Sequence, residues 1–270
     1  MREKRLIISL VIPYYQKMFS SFYTLEIIKE VSRAAIKLNV DLLIETKGKM
    51  FGVSGILFAD IMGNELLIKK ARQKKIPYII LNYYDKDSRD NCIGIDNQRA
   101  SLEAVDYLIK AGHRRIATIT GKLDAQAGTQ RREGFRQALK AKKIDLDNRY
   151  IASGDWTKES GREAMNKLIS LGEPPTAVFA AGDEMAIGAM EVAKEEGLKI
   201  PDDISFVGFD NIPQTDAAGI SLTTIEQPFA ELSQLGIKYL MQIIGKKSKQ
   251  PVKVLLTNAK LIKRKSVRKL

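Results

Sequence analysis

Residues 200–211 read IPDDISFVGFDN. Their apolar centre, residues 204–208, is short, and it is followed closely by Asp210 and Asn211, two residue types that favour turns. A short apolar run bounded by turn residues is typical of a buried strand. In an open parallel sheet, ligands bind beyond the carboxyl ends of the strands. The stretch therefore predicts a parallel sheet with Asp210 at its binding edge.

Similar apolar runs alternate with longer amphipathic segments along the chain. The predicted strands are residues 6–12, 40–44, 54–58, 78–81, 92–95, 116–120, 177–180, 204–208 and 223–225. Between them, apolar residues recur three and four positions apart, as in the stripe Leu25, Ile28, Val31, Ala35 and Leu38. This alternation predicts an α/β protein with parallel sheets covered by helices on both faces. Residues 6–121 would build one sheet and a second would follow the polar loop 122–129, so we expect two doubly wound lobes with a cleft between them.

The composition limits the chemistry that is available. The 270 residues include 44 Lys and Arg against 32 Asp and Glu, a net charge of +12, with one Cys and one His. One cysteine excludes an internal disulfide, and one histidine excludes a site that needs two, so we expect no metal and no cofactor. The positive charge indicates either nucleic-acid contact or a well-solvated surface. Because the basic residues are scattered along the predicted helices, we favour the solvated surface.

Motifs of the common enzyme classes are missing. Gly121-Lys122 is followed by Leu123 rather than by Ser or Thr, and neither GxGxxG nor GxSxG occurs. An enzyme is therefore disfavoured. The apolar stretch at residues 6–13 is shorter than the roughly 20 residues of a membrane span. We therefore expect a cytoplasmic protein without a membrane partner.

Polar and aromatic residues on the predicted crevice loops are candidates for ligand binding. Asp210 could accept hydrogen bonds from adjacent hydroxyls or simply form a turn. Arg131, predicted to open a helix over residues 131–141, could make a bidentate contact to a ligand or a surface ion pair. Trp156, the only tryptophan, could present its flat face to a sugar or base or lie at the edge of the core.

Two further loops contribute candidates. Ser21 and Tyr23 belong to the loop after the first predicted strand, where a serine can cap a helix or contact a ligand and a tyrosine can stack or pack. Asp124, in the polar loop at residues 122–129, is the last candidate for ligand binding.

Several segments together resemble the lactose-repressor-like (LacI/GalR) family of bacterial transcription regulators. Residues 200–211 are similar to the family signature IPDDISVVGFDN, and LTTIEQP at residues 222–228 is similar to LTTIxQP. The segments AGHRRIA at 111–117, RREGF at 131–135 and DEMAIG at 183–188 resemble xGHRRIA, RxxGF and DxMAxG. The resemblance covers nearly the whole chain.

The resemblance implies a periplasmic-binding-protein-like sensor core of type I, in which the chain crosses three times between two lobes. By position, the N-terminal lobe would comprise residues 1–121 and 228–250, and the C-terminal lobe residues 122–227 and 251–270. Arg131 and Asp210 would be the polar anchors of the effector and Trp156 its aromatic wall. Ser21 and Tyr23 would match the first ligand loop, and Gln227 would sit at the hinge, within reach of the ligand site.

The chain departs from the family pattern at four places. Gly182 stands where the family usually has Asn, so one polar contact to the effector is missing. Residues 20–24 read SSFYT in place of SNPFF, and residues 46–53 are too few for the helix that the family carries there. That helix belongs to the lobe that relays the signal and forms part of the dimer interface. No helix-turn-helix precedes the first strand, so we expect a fragment of a longer regulator rather than a stand-alone sensor.

The expected function is therefore that of the effector-sensing and dimerisation domain of a LacI-type repressor. Its ligand would be a small polar molecule between the lobes, a sugar or a purine. Its other partners would be a second copy of the chain and operator DNA, contacted through an N-terminal domain absent from this chain. The alternative is a stand-alone sugar-binding protein of the same fold.

Overall fold

In a computed structural model, the structure describes residues 6–13, 21–48, 50, 52–216, 221–246 and 250–270. The chain divides into two compact units. The first comprises Met1–Ile95 and Pro228–Leu256, and the second Asp96–Gln227 and Thr257–Leu270.

The first unit is a parallel sheet with helices. Its strands are β1 (Ile7–Val11), β2 (Asp41–Glu45), β3 (Gly55–Phe58), β4 (Tyr78–Leu81), β5 (Cys92–Ile95) and β11 (Lys253–Leu256), and its helices are α1 (Phe22–Lys37), α2 (Glu65–Gln73) and α7 (Phe229–Ile244). The strand order is β11-β5-β4-β3-β1-β2, and each neighbouring pair is parallel. Strands β3, β4 and β5 are buried along their whole length, which explains their unbroken apolar sequences.

The second unit contains a smaller parallel sheet and an antiparallel strand pair. Its strands are β6 (Ile116–Thr120), β7 (Ile151–Ser153), β8 (Ala177–Ala180), β9 (Ser205–Val207), β10 (Thr224–Glu226) and β12 (Lys260–Ile262), and its helices are α3 (Asn97–Lys110), α4 (Gln126–Ala141), α5 (Lys158–Ile169) and α6 (Asp183–Glu195). The parallel order is β7-β6-β8-β9, and β10 pairs with β12.

Side chains alternate between the two faces of this smaller sheet. Ile119 and Val178 pack into a cluster with residues of α5 and α6. Ile116 and Phe179 pack into another cluster with residues of α3 and α4. Because neighbouring strand residues point to opposite faces, the sheet is apolar on both sides and is covered by a helix pair on each.

The helices α5 and α6 approach each other through two glycines. A Cβ placed on Gly161 would lie 2.1 Å from the carbonyl oxygen of Met185, and one on Gly188 would lie 2.1 Å from that of Lys158. No real side chain tolerates such distances, so glycine at both positions sets the spacing of the two helices.

The predicted α/β class with parallel-sheet lobes is confirmed. The strand bounds 78–81, 92–95, 116–120 and 177–180 are also confirmed. The prediction of one sheet from residue 6 to residue 121 is wrong, because β6 pairs with β7 and β8 of the second unit.

The predicted lobe boundaries at residues 121 and 250 also differ from the division of the structure. The first change of unit lies between Ile95 and Asp96, because α3 and β6 pack into the second unit. The last lies between Leu256 and Thr257, because β11, a strand that the sequence analysis missed, pairs with β5. Strand β7 was missed as well, and α4 begins at Gln126, five residues before the predicted start at Arg131.

Gly161→Ala tests the close packing of α5 on α6. An alanine in a helix interior is normally stabilising, but here its methyl group overpacks the interface, so we expect a loss of about 1–3 kcal/mol in unfolding free energy, measured by urea denaturation. Gly172→Ala is the matched control, because nothing lies within 4 Å of a Cβ at this exposed position. Equal stability of the two variants would contradict the packing argument.

Candidate polar ligand site of the second unit

The candidate site lies in the second unit, where several strands end. Arg131 projects from α4, Trp156 follows β7, Asp210 follows β9 and Gln227 follows β10. Parallel strands bring their carboxyl ends to the same sheet edge, which explains why residues far apart in sequence meet here.

Arg131 is the centre of the site. Its side chain is buried, with the residue only 4% exposed. Nε donates to Oδ1 of Asn97 at 2.9 Å, and Nη1 donates to the carbonyl oxygen of Ala181 at 2.6 Å and to Oδ1 of Asp210 at 3.4 Å. The guanidinium carbon lies 3.6 Å from the ring centroid of Phe209. Nη2 donates no hydrogen bond to the part of the chain that the structure describes, so two N–H donors are available to a ligand.

Asp210 and Gln227 supply acceptors. Nε2 of Gln227 donates to Oδ1 of Asp210 at 2.5 Å. Within the described residues, Oε1 of Gln227 is buried without a hydrogen-bond partner. Over the same ranges, no hydrogen bond reaches Oδ2 of Asp210. Burial raises the pKa of Asp210, while the charge of Arg131 opposes that rise. The predicted meeting of Arg131, Asp210 and Gln227 is thus present within one unit.

Trp156 forms an aromatic wall beside Arg131, whose guanidinium carbon is 5.4 Å from the indole centroid. The tryptophan adopts a φ of 78°, which is unusual for a bulky residue. Its ring lies over Gly121, where a Cβ would be 2.0 Å from the indole Cη2. Glycine at the end of β6 therefore makes room for the indole, which is half-buried rather than part of the core interior.

Asp183 is a buried residue of the site region that sequence reasoning missed. It is the first residue of α6 and is 0% exposed. Oδ1 accepts from the hydroxyl of Thr224 at 2.6 Å, and Oδ2 accepts from the backbone N–H of Ile212 at 3.0 Å. Asp183 thereby anchors the loop that carries Asp210. The DxMAxG motif contained the signal, since Asp at a helix start is a common backbone acceptor.

Three predicted residues remain, Asp124 in the second unit and Ser21 and Tyr23 in the first. Asp124 is exposed, and within the described residues no hydrogen bond or ion pair joins it to Arg131, Asp210 or Gln227. Ser21 is the N-cap of α1 and accepts from the backbone N–H of Thr24 at 3.5 Å. Tyr23 donates its hydroxyl proton to the carbonyl oxygen of Ala59.

Tyr23 also packs edge-on against Phe229, with 5.8 Å between ring centroids. Ser21 and Tyr23 belong to the first unit, so their contact with the same ligand stays a prediction, as does the role of Asp124. Ser20, the other serine of that loop, lies outside the described residues.

The cluster is made of hydrogen-bonding groups. It contains hydrogen-bond donors and acceptors around an aromatic face, without a histidine or cysteine. Within the ranges that the structure describes, His, Cys, Asp and Glu side chains nowhere gather in a group of three or more that could hold a metal ion. Over the same ranges, every helix is too short or too polar to span a membrane.

Comparison with known proteins identifies the domain family of this chain. A family model described as a periplasmic binding protein-like domain matches residues 105–267. The probable HTH-type transcriptional repressor ExuR of Bacillus subtilis (strain 168) is 38% identical over 199 residues, which cover 74% of this chain and 60% of that protein. The chain thus spans about three fifths of the length of this curated relative.

Solved structures agree along almost the whole chain. The transcriptional regulator CelR, in complex with cellobiose, superposes with a TM-score of 0.87 and 26% identity over 97% of this chain and 85% of that one. A regulatory protein of the LacI family from Chloroflexus aggregans also gives 0.87 and 26%, over 97% and 98%. The chain belongs to the periplasmic-binding-protein-like domain family, as an effector-binding domain of the LacI/GalR type.

Asp183→Asn tests the anchoring of the Asp210 loop. The amide cannot accept both hydrogen bonds, so we expect a loss of about 1–3 kcal/mol in unfolding free energy at pH 5. Burial and the nearby Asp210 raise the pKa of Asp183 to about 7. At pH values between the ordinary pKa of an aspartate and this raised pKa, the folded state therefore binds more protons than the unfolded state. Stability from this group is therefore present at low pH and is lost as pH rises to about 7.

Urea denaturation at pH 5 and pH 8 measures this dependence. The wild type should lose more stability than Asp183→Asn over this range, by at most about 1.4 kcal/mol per pH unit. Asp202→Asn, at an exposed position, is the control. Parallel pH profiles of Asp183→Asn and the wild type would contradict the assignment.

Proposed function

We propose that this chain is the effector-sensing core of a LacI-type transcription repressor and that the Arg131 cluster binds a neutral, hydroxyl-rich ligand, a sugar. The observation that supports this most directly is the set of unpaired polar atoms in the Arg131 cluster, beside which Trp156 lies. Among the described residues, Oε1 of Gln227, an acceptor, is buried without a partner. No hydrogen bond within the same ranges uses Nη2 of Arg131, a donor, or Oδ2 of Asp210, an acceptor.

A sugar matches these atoms because each hydroxyl both donates and accepts. One hydroxyl of a vicinal pair can accept from Arg131 while its neighbour donates to Asp210. The C–H face of a pyranose fits against the flat indole of Trp156. A sugar would also satisfy the buried oxygen of Gln227, whose lack of a partner is otherwise costly.

The charges of the site favour a neutral ligand. One buried guanidinium stands beside two buried or half-buried carboxylates, those of Asp183 and Asp210. An anionic ligand would add a further negative charge in a poorly solvated place, which is unfavourable without a second cation. The cellobiose bound by the related regulator CelR is a neutral sugar, which agrees with this preference.

For the whole protein, we propose that ligand binding controls the binding of a transcription repressor to DNA. The repressor ExuR is of the HTH type, and this chain spans only part of its length, so a DNA-binding segment would lie in the remainder of a longer product. A ligand that binds one arrangement of the protein more tightly shifts the population toward it. Homodimerisation, operator binding, a cytoplasmic location and the absence of catalysis are parts of this proposal.

Titration calorimetry with D-galactose, cellobiose, D-ribose and adenosine tests ligand binding. For whichever probe binds, Arg131→Ala and Asp210→Ala should each weaken affinity about 10- to 100-fold, because each removes charge-assisted hydrogen bonds. Arg136→Ala, which truncates an exposed arginine of α4, is the matched control. Losses below about 1 kcal/mol in both site variants would argue against these roles.

Separate outcomes distinguish the ligand proposal from the regulator proposal. Failure of all four probes to stabilise the protein in thermal-shift assays would contradict sugar or nucleoside binding. Specific DNA retention by the full-length gene product, released or strengthened by the ligand, supports a regulator. Ligand binding without DNA retention would favour the stand-alone sugar-binding protein.

The acidic side chains of the site should discriminate against acidic sugars. D-galacturonate differs from D-galactose by a carboxylate in place of a hydroxymethyl group, and we expect it to bind at least about tenfold more weakly at pH 7.5, because the site carboxylates repel it. Competition calorimetry against the sugar that binds best measures the difference. Tighter binding of the uronate than of its neutral counterpart would contradict a site selective for neutral sugars.

A further inference from the structure

The loop that carries Asp210 has an unusual backbone. Asp210 has a φ of 119° and Asn211 a φ of 56°, so two consecutive residues other than glycine occupy the left-handed side of φ/ψ space. Such conformations persist only where surrounding contacts impose them, and they cluster at functional sites. The contacts that impose this turn therefore control where the Asp210 carboxylate points.

One of these contacts comes from the C-terminal segment of the chain. Nη2 of Arg264 donates to Oδ1 of Asn211 at 2.8 Å, and Nη1 donates to the carbonyl oxygen of Leu222 at 2.8 Å. The side chain of Arg264 is only 14% exposed. Its ion pair with Asp216, at 3.3 Å, involves a carboxylate that is 80% exposed and contributes little.

Arg264 is itself firmly placed. Its backbone N–H donates to Oγ1 of Thr223 at 2.9 Å. Two residues further on, Oγ of Ser266 accepts from the backbone N–H of Thr223 at 2.8 Å and donates to the carbonyl oxygen of Phe206 in β9 at 2.6 Å. The C-terminal segment is thus bonded to β9 and to the residue before β10, which flank the strained turn.

The other side of Asn211 is held as well. Its Nδ2 donates to Oε1 of Glu226 at 3.1 Å, and its backbone N–H donates to Oγ1 of Thr224 at 3.3 Å. Both partners belong to β10, so Arg264 provides the contact from the C-terminal segment to the Asn211 side chain. An arginine suits this place because its planar fork binds two acceptors at fixed spacing.

We propose that Arg264 is a positioning residue, which holds the Asp210–Asn211 turn so that the Asp210 carboxylate meets Arg131 and Gln227. The value of this placement for ligand binding rests on the function proposed above. Arg264 does not touch the ligand in this proposal. It acts through Asn211.

The single tryptophan gives a direct readout that needs no ligand. Trp156 provides the only indole N–H resonance in a ¹H–¹⁵N correlation spectrum. Asp210 bonds Arg131, which lies under that indole, so a displaced turn should move the resonance. We expect Arg264→Gln to shift it clearly, whereas Arg136→Gln, the same change at an exposed position, leaves it in place.

A rescue variant separates positioning from a general structural role. Glycine adopts positive φ without penalty, so Asn211→Gly removes the need for a tether at this residue. Added to Arg264→Gln, it should return the indole resonance to within the linewidth of the wild-type position. An unmoved resonance in Arg264→Gln, or a moved one that Asn211→Gly does not restore, would overturn the proposal.

Calorimetry with D-galactose and cellobiose is the second test of the role of Arg264. If either binds the wild type, Arg264→Gln should weaken it at least tenfold and Asn211→Gly should recover most of the loss. Retained affinity in Arg264→Gln would overturn the proposal. If neither binds the wild type, the sugar-binding proposal fails, while the resonance and its rescue still decide whether Arg264 positions Asp210.

Discussion

The buried guanidinium of Arg131 is the constraint on which this site depends. A charged group in the interior is unfavourable unless its donors are matched by acceptors, so Asn97, the Ala181 carbonyl and Asp210 must all be in place. Those groups come from α3, from the end of β8 and from the loop after β9. The hydrogen bonds of Arg131 therefore hold these elements of the second unit together at the sheet edge where a ligand would bind.

The hydrogen-bond network around Arg131 leaves some polar atoms without partners among the described residues. Among the described residues, Oε1 of Gln227 is one of several buried polar atoms without a hydrogen-bond partner, and it belongs to the side chain that bonds Asp210. One nitrogen of Arg131 also donates nothing to the described residues. The atoms of the Arg131 cluster lie next to one another, so one bound molecule could pair with all of them. The backbone at Asp210 and Asn211 is strained at the same place, and such strain clusters at functional sites.

One departure from the family pattern, Gly182, lies beside Asp210 and Trp156. Gly182 leaves α6 without a side-chain N-cap, and the Asn usual in the family would place its side chain next to Asp210. A Cβ at this position would meet Trp156, Met185 and Asp210 only at ordinary contact distances, from 3.4 to 3.6 Å. The glycine is therefore not required by packing, in contrast to Gly121, Gly161 and Gly188, whose neighbours leave no room for a side chain.

The sequence by itself determined the fold class, most strand positions and the family, because apolar periodicity and turn residues are local and the signature at residues 200–211 is long. It also singled out Arg131, Trp156, Asp210 and Gln227 as candidates, and the structure brings them together in the second unit, while their contact with a ligand stays a prediction. It could not place β6 in the second sheet or reveal β11, since strand pairing joins residues far apart in the chain, such as Cys92 and Lys253. The anchoring by Asp183 was decided only in the tertiary structure, because a carboxylate becomes an anchor through the partners it meets, here Thr224 and Ile212, which lie 41 and 29 residues away.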